Sequence, residues 1–128
     1  MKTPMSRSAL ALSLGALTVS LTLLFAAPAS ALTFWGAIAV APETGITGTS
    51  FDFPTANAAK KQALDVCEVR GDGCRAAVWV RNGWAALVQK KNGVYMPGAG
   101  KTKHLAILTA RHRAHENGAR LIATVFSG

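Results

Sequence analysis

Two cysteines, the only ones in the chain, constrain it more than any other feature. Cys67 and Cys74 stand on either side of a glycine loop within Ala58–Val80, AAKKQALDVCEVRGDGCRAAVWV. The residues before Cys67 have the small-residue spacing of a helix, and those after Cys74 read as a strand. A helix end and a strand start joined by six residues can approach within the ~4.4–6.8 Å between Cα atoms that a disulfide needs. So short a ring is worth roughly 2–3 kcal/mol in loop-entropy terms. A reactive thiol pair and half of a metal site are the other readings. Zinc suits the pattern poorly, because the spacing is not that of a zinc site and no nearby histidine completes four ligands. The compartment therefore matters, and the N-terminus bears on it.

Lys2 and Arg7 give a positive start, Ala9–Ala27 is apolar and uncharged, and Pro28-Ala29-Ser30-Ala31 offers a small-x-small cleavage site. Together these are the parts of a secretory signal peptide over residues 1–31. The apolar run also nears the roughly 20 residues a membrane helix needs, so an uncleaved anchor is the rival reading. Cleavage before Leu32 leaves one small domain, 32–128, with no membrane span, secreted or held in the periplasm or cell envelope. In such a compartment two cysteines most often bond to each other. Residues 32–128 carry 12 Lys+Arg against 6 Asp+Glu, a net +6. That excess suits an acidic protein, an anionic lipid or a cell-wall polymer. Export argues against nucleic acid.

Along the chain, Phe34–Val40 and Ile46–Phe53 read as strands joined through Pro42-Glu43-Thr44-Gly45, a hairpin. Thr55 is a helix N-cap. On the helix that follows, Ala56, Ala59, Ala63, Val66 and Cys67 share one face, while Asn57, Lys61, Asp65 and Glu68 point away. The helix is expected to end near Cys67, with a glycine of Arg70-Gly71-Asp72-Gly73 as its left-handed cap. Arg75–Val80 is a strand, and Asn82-Gly83 predicts a two-residue hairpin into Trp84–Gln89. Lys90–Gly93 is a turn, Val94–Met96 begins a strand interrupted by Pro97 and glycines, and Thr102 caps a second helix, Lys103 to about Glu116. Asn117-Gly118 ends it, and Ala119–Phe126 is a last strand.

The same order of elements thus occurs twice. Sliding the first helix by 47 positions sets Ala59, Ala63 and Cys67 on Ala106, Ala110 and Ala114. Removing two loop residues sets Cys74 on Ala119. Both cysteines become alanine together, as a bonded pair would, since one orphan thiol is a liability in an oxidising compartment. The expectation is a small α+β domain, pseudo-repeated, with about six mostly antiparallel strands and two helices packed on one face.

Chemistry-bearing motifs are sparse. Gly98-Ala99-Gly100-Lys101-Thr102 resembles the end of a phosphate loop, but the position five before Gly100 is Tyr95 where that loop requires glycine. Arg70-Gly71-Asp72 is an integrin-type tripeptide whose plainer role is to turn a solvated loop. His104 and His115 lie roughly 16 Å apart along a helix, too far to share an ion. His112 and His115 are at i,i+3, with no acid or cysteine converging. The serines after residue 31 are Ser50 and Ser127, neither in a nucleophile elbow. No nucleophile, base and orienting group are linked, Asp52 included. Trp35, Trp79, Trp84, Phe34 and Tyr95 read as packing residues. No cofactor or metal is implied. Lys101, Lys103, Arg111 and Arg113, with the histidines, form a basic helix face that could meet an anionic partner.

Trp35-Gly36-Ala37-Ile38-Ala39, Gly45, Phe53-Pro54-Thr55, Ala59…Ala63-Leu64…Cys67, Cys74-Arg75-Ala76-Ala77-Val78-Trp79, Asn82 and Ala85-Ala86-Leu87 resemble the bacterial secreted family catalogued as domain of unknown function 4189. The resemblance runs from Trp35 to about Phe126. It implies location and fold rather than a reaction, and carries over no catalytic residue. Members commonly hold two further cysteines at the places of Trp84 and, approximately, Ser127, which implies a second bridge lost as a unit. The reading that results is an exported, non-enzymatic binding module. An extracellular enzyme or enzyme inhibitor with a loop-built site, or a host-directed effector, is the alternative.

Overall fold

The computed structural model describes residues 32–128; the signal peptide expected over residues 1–31 lies outside the described residues. Eight elements follow in order: β1 (Trp35–Ala41), β2 (Ile46–Phe53), α1 (Ala56–Arg70), β3 (Arg75–Arg81), β4 (Gly83–Gln89), β5 (Tyr95–Gly100), α2 (Lys103–Ala114) and β6 (Arg120–Ser127). The strands form two antiparallel sheets, ordered β2-β1-β3 and β5-β4-β6.

Alternation along the central strands builds the layers. On β1, Ile38 and Val40 enter a core shared with Val78, Val80, Ala85, Leu87 and Val125, which lies between the sheets. Ala37, Ala39 and Ala41 face the other way, onto Ala59, Ala63 and Cys67 of α1. On β4, Ala85 and Leu87 point into the shared core, while Ala86 and Val88 meet Ala106, Ala110 and Ala114 of α2. The order of layers is therefore helix, sheet, sheet, helix. The expected α+β class, six antiparallel strands and two helices are all present. Because the strands divide between two sheets, each helix covers one face of its own sheet.

The two halves repeat each other in detail. Both sheets have the same connectivity, and each carries an irregularity in register at the same place, between Ile38 and Ala39 and between Leu87 and Val88. Alanine stripes let the helix axes come close, and a strand glycine completes each approach. A Cβ at Gly48 would run into the Ala63 carbonyl and the Cys67 amide, and one at Gly98 into the Ala106 carbonyl and the Ala110 amide. Beside the first notch the buried Ser50 hydroxyl donates to the Ala59 carbonyl at 2.6 Å, so its polar atom is satisfied.

Three local expectations change. Asn82-Gly83 makes no hairpin, because β3 and β4 belong to different sheets. Asn82 adopts the left-handed conformation (φ 47) and is the single residue between them. Its N–H donates to the Phe34 carbonyl at 2.8 Å, extending the β1–β3 ladder before the chain crosses. The first helix runs on to Arg70, and its cap, Gly71, is extended; the positive φ falls at Gly73 (φ 78). The second helix ends at Ala114 with His115 left-handed (φ 54), ahead of Asn117-Gly118.

Cys67 and Cys74 are joined, with Cα atoms 6.1 Å apart. In the second half Ala114 and Ala119 occupy the corresponding places, each 1% exposed. There the helix end is tied to the strand by Arg111, whose Nε donates to the Ala119 carbonyl at 2.9 Å.

Candidate functional site

Thr102 starts α2 as its N-cap, accepting from the Leu105 N–H at 3.1 Å, and the loop resembling a phosphate site serves as this strand-to-helix turn. With Ala106, Ala110 and Ala114 inward, the outward face presents His104, Leu105, Leu108 and His112, both leucines 47% exposed. Arg111 and Arg113 are about 200° apart around the axis and so leave on opposite flanks. Arg111 reaches the start of β6 as described above. Arg113 Nη1 reaches the Pro97 carbonyl on β5 at 3.5 Å. The Lys103 ammonium lies 6.0 Å from the centre of the Trp84 ring, a distant cation–π contact, and Lys101 is exposed. The four cations surround α2 without forming one patch, and Arg111 belongs largely to the scaffold. A depression of about 450 Å³ lined by Leu108, Thr109, Arg111, His112 and Asn117 lies on the outer side of the helix.

A second feature was not foreseen from sequence. The edge strands β3 and β5 lie near one another at one side of the sandwich, with a cavity of about 270 Å³ between Trp79 and Pro97–Ala99 and Arg113 at its rim. Trp79 is 45% exposed, and Lys60 Nζ sits 4.2 Å above its ring. The signal was present in Arg75-Ala-Ala-Val-Trp-Val-Arg81, where Trp79 shares its side of the strand with Arg81 and Val78 and Val80 take the other.

The other sequence candidates take structural positions. The Arg70 guanidinium donates to the Thr47 carbonyl at 3.3 Å, which removes it from a free Arg-Gly-Asp loop. His112 and His115 rings are 6.5 Å apart, and among the described residues no three His, Cys, Asp or Glu side chains converge as metal ligands. Asp52 is left-handed (φ 61) near the end of β2. Its N–H donates to the hydroxyl of fully buried Ser127 at 2.8 Å. Its carboxylate accepts from that hydroxyl at 3.3 Å and from the Gly128 N–H at 3.1 Å. This carboxylate–hydroxyl pair ties the ends of β2 and β6 together. The places read for a lost second bridge lie side by side at the paired ends of β4 and β6, where Trp84 pairs with Phe126 and Gly83 with Ser127.

The family described as a domain of unknown function, DUF4189, matches residues 35–124. Among solved structures, Rv1813c from Mycobacterium tuberculosis, determined by NMR, is similar at 26% identity with a TM-score of 0.56, over 96% of this chain and 99% of that one. No curated protein matches. Among the described residues no helix is long and apolar enough to cross a membrane.

Proposed function

The chain belongs to the DUF4189 family of unknown function, and from that premise we propose that it is an exported binding module for an anionic partner. The observation that carries this reading is how charge divides between the repeats. Residues 32–82 hold five Lys+Arg and five Asp+Glu, whereas residues 83–128 hold seven Lys+Arg against Glu116 alone. The net +6 of the domain therefore belongs to the half that contains α2. Segregated charge of one sign raises the local concentration of an oppositely charged partner and steers its approach. Export is supported by the signal-like residues 1–31 and by a disulfide of the kind that persists in oxidising compartments.

The test is binding to a soluble polyanion such as dextran sulfate across a salt series. Affinity falls steeply with salt, because screening acts on exposed charge. Lys101→Glu with Lys103→Glu weakens binding roughly tenfold, equivalent to about 1.4 kcal/mol. Lys60→Glu with Lys61→Glu, in the neutral repeat, leaves it within about twofold. Salt-independent binding, or equal losses from the two pairs, contradicts the reading.

A further inference from the structure

We infer that the anionic partner is a lipid bilayer, and that the domain meets it end-on through the rim where β1 and β4 begin and β2, β3 and β6 end. This deepens the charge-based reading above and rests on it. The antiparallel arrangement brings these strand ends together: Trp35 pairs with Phe53, Trp84 with Phe126, and the single residue Asn82 joins the sheets at the same end. As a result Phe34, Trp35, Phe51, Phe53, Trp84 and Phe126 collect there, six of the eight aromatic residues described.

The core does not account for all of this collection. Leu32 is 75% exposed, Phe51 61% and Phe126 45%. Phe126 stacks obliquely on Trp84, ring centres 5.2 Å apart, and still presents nearly half its surface to water. Exposed Arg81, Lys101 and Lys103 stand at the same rim. The acidic side chain there, Asp52, is engaged by Ser127 and Gly128. Aromatic rings beside cations suit the headgroup region of an anionic membrane, where ring bodies enter the apolar boundary and ammonium groups meet phosphate. A hydrated polyanion offers nothing to three exposed apolar side chains; a bilayer takes both.

Residues 32–34 are fixed to the same rim: Phe34 N–H donates to Asn82 Oδ1 at 2.8 Å and Asn82 Nδ2 donates to the Leu32 carbonyl at 3.4 Å, which holds exposed Leu32 beside the aromatic residues.

Residues 32–128 contain all three hydrophobic clusters, both sheets and the disulfide, so they carry a complete core and can be tested as the oxidised domain. The probes are phosphatidylcholine vesicles with a third phosphatidylglycerol, vesicles of phosphatidylcholine alone, and dextran sulfate; the readout is co-flotation or affinity. The domain floats with the anionic vesicles and not with the neutral ones. Phe51→Ser with Phe126→Ser lowers vesicle partitioning about tenfold through lost apolar burial and leaves dextran sulfate binding unchanged. Phe51→Ser alone, at the more exposed site, lowers it about threefold and serves if the double variant unfolds. Full vesicle binding by the phenylalanine variants, or dextran sulfate binding without flotation on anionic vesicles, overturns the bilayer assignment and spares the charge-based reading. Equal binding to neutral vesicles overturns the charge-based reading and with it the anionic-bilayer assignment. Binding to neither vesicles nor dextran sulfate overturns both.

Discussion

His115 and Arg111 show how far a residue's type can mislead about its task. Asn117-Gly118 offers a glycine to end α2, yet the left-handed turn falls on His115. The buried stripe stops at Ala114, and Ala119 must return beneath it, so the chain has to turn before the glycine arrives. Packing fixes the place and the side chain bears the strain. His115 N–H donates to the His112 carbonyl and Glu116 N–H to the Arg111 carbonyl, which closes the helix end. Glycine relieves a left-handed residue at some cost in chain entropy, so His115→Gly raises stability by roughly 0.5–1 kcal/mol. Urea denaturation reads this directly, and a lower midpoint contradicts it. Arg111, legible as a basic-face residue, is bonded to the Ala119 carbonyl. Arg111→Ala therefore costs about 1–2 kcal/mol, whereas exposed Lys101→Ala stays within about 0.5 kcal/mol. Similar losses at the two sites would remove Arg111 from its structural role.

At the scale of elements, strands and helices were legible because each has a clear period. The alanine face at Ala59, Ala63 and Cys67 and its copy at Ala106, Ala110 and Ala114 are all buried. The glycines opposite were readable only in retrospect, since a strand glycine signals close approach without saying to what. Gly48→Ala and Gly98→Ala each force a methyl into helix backbone, which cannot yield as a flexible side chain would. Each is expected to cost about 2 kcal/mol or more. A thermal midpoint unchanged by either would mean that the helix shifts freely on its sheet. The Cys67–Cys74 bond was legible from spacing and from its paired loss in the repeat. Replacing both cysteines by alanine is expected to cost roughly 2–3 kcal/mol. Hydrogen exchange should quicken first in α1 and β3, the elements that the bond joins. Earlier loosening of α2 contradicts this.

On the scale of the molecule, the repeat was visible in the sequence but the division into two sheets was not. Asn-Gly supplies left-handed backbone, and both a tight hairpin and a crossing between sheets can use it. Which occurs depends on the partners of β3 and β4, a non-local fact that no local motif contains. The rim that gathers the aromatics was hidden for the same reason: Phe34, Phe51, Trp84 and Phe126 are far apart in sequence and meet only when strand ends align. Asn82 also makes the molecule two similar parts joined by one residue, each completing the inner face of the other. Nothing in that complementarity requires the two parts to come from one chain. Asn82→Val disfavours the left-handed turn and hence the crossing back. It is expected to yield dimers in which each chain lends its second half to its neighbour, visible by size-exclusion chromatography. A purely monomeric, merely weakened Asn82→Val protein would mean that the crossing survives without its asparagine. If the exchange occurs, the join is a hinge as well as a link, and assembly state depends on a single peptide conformation.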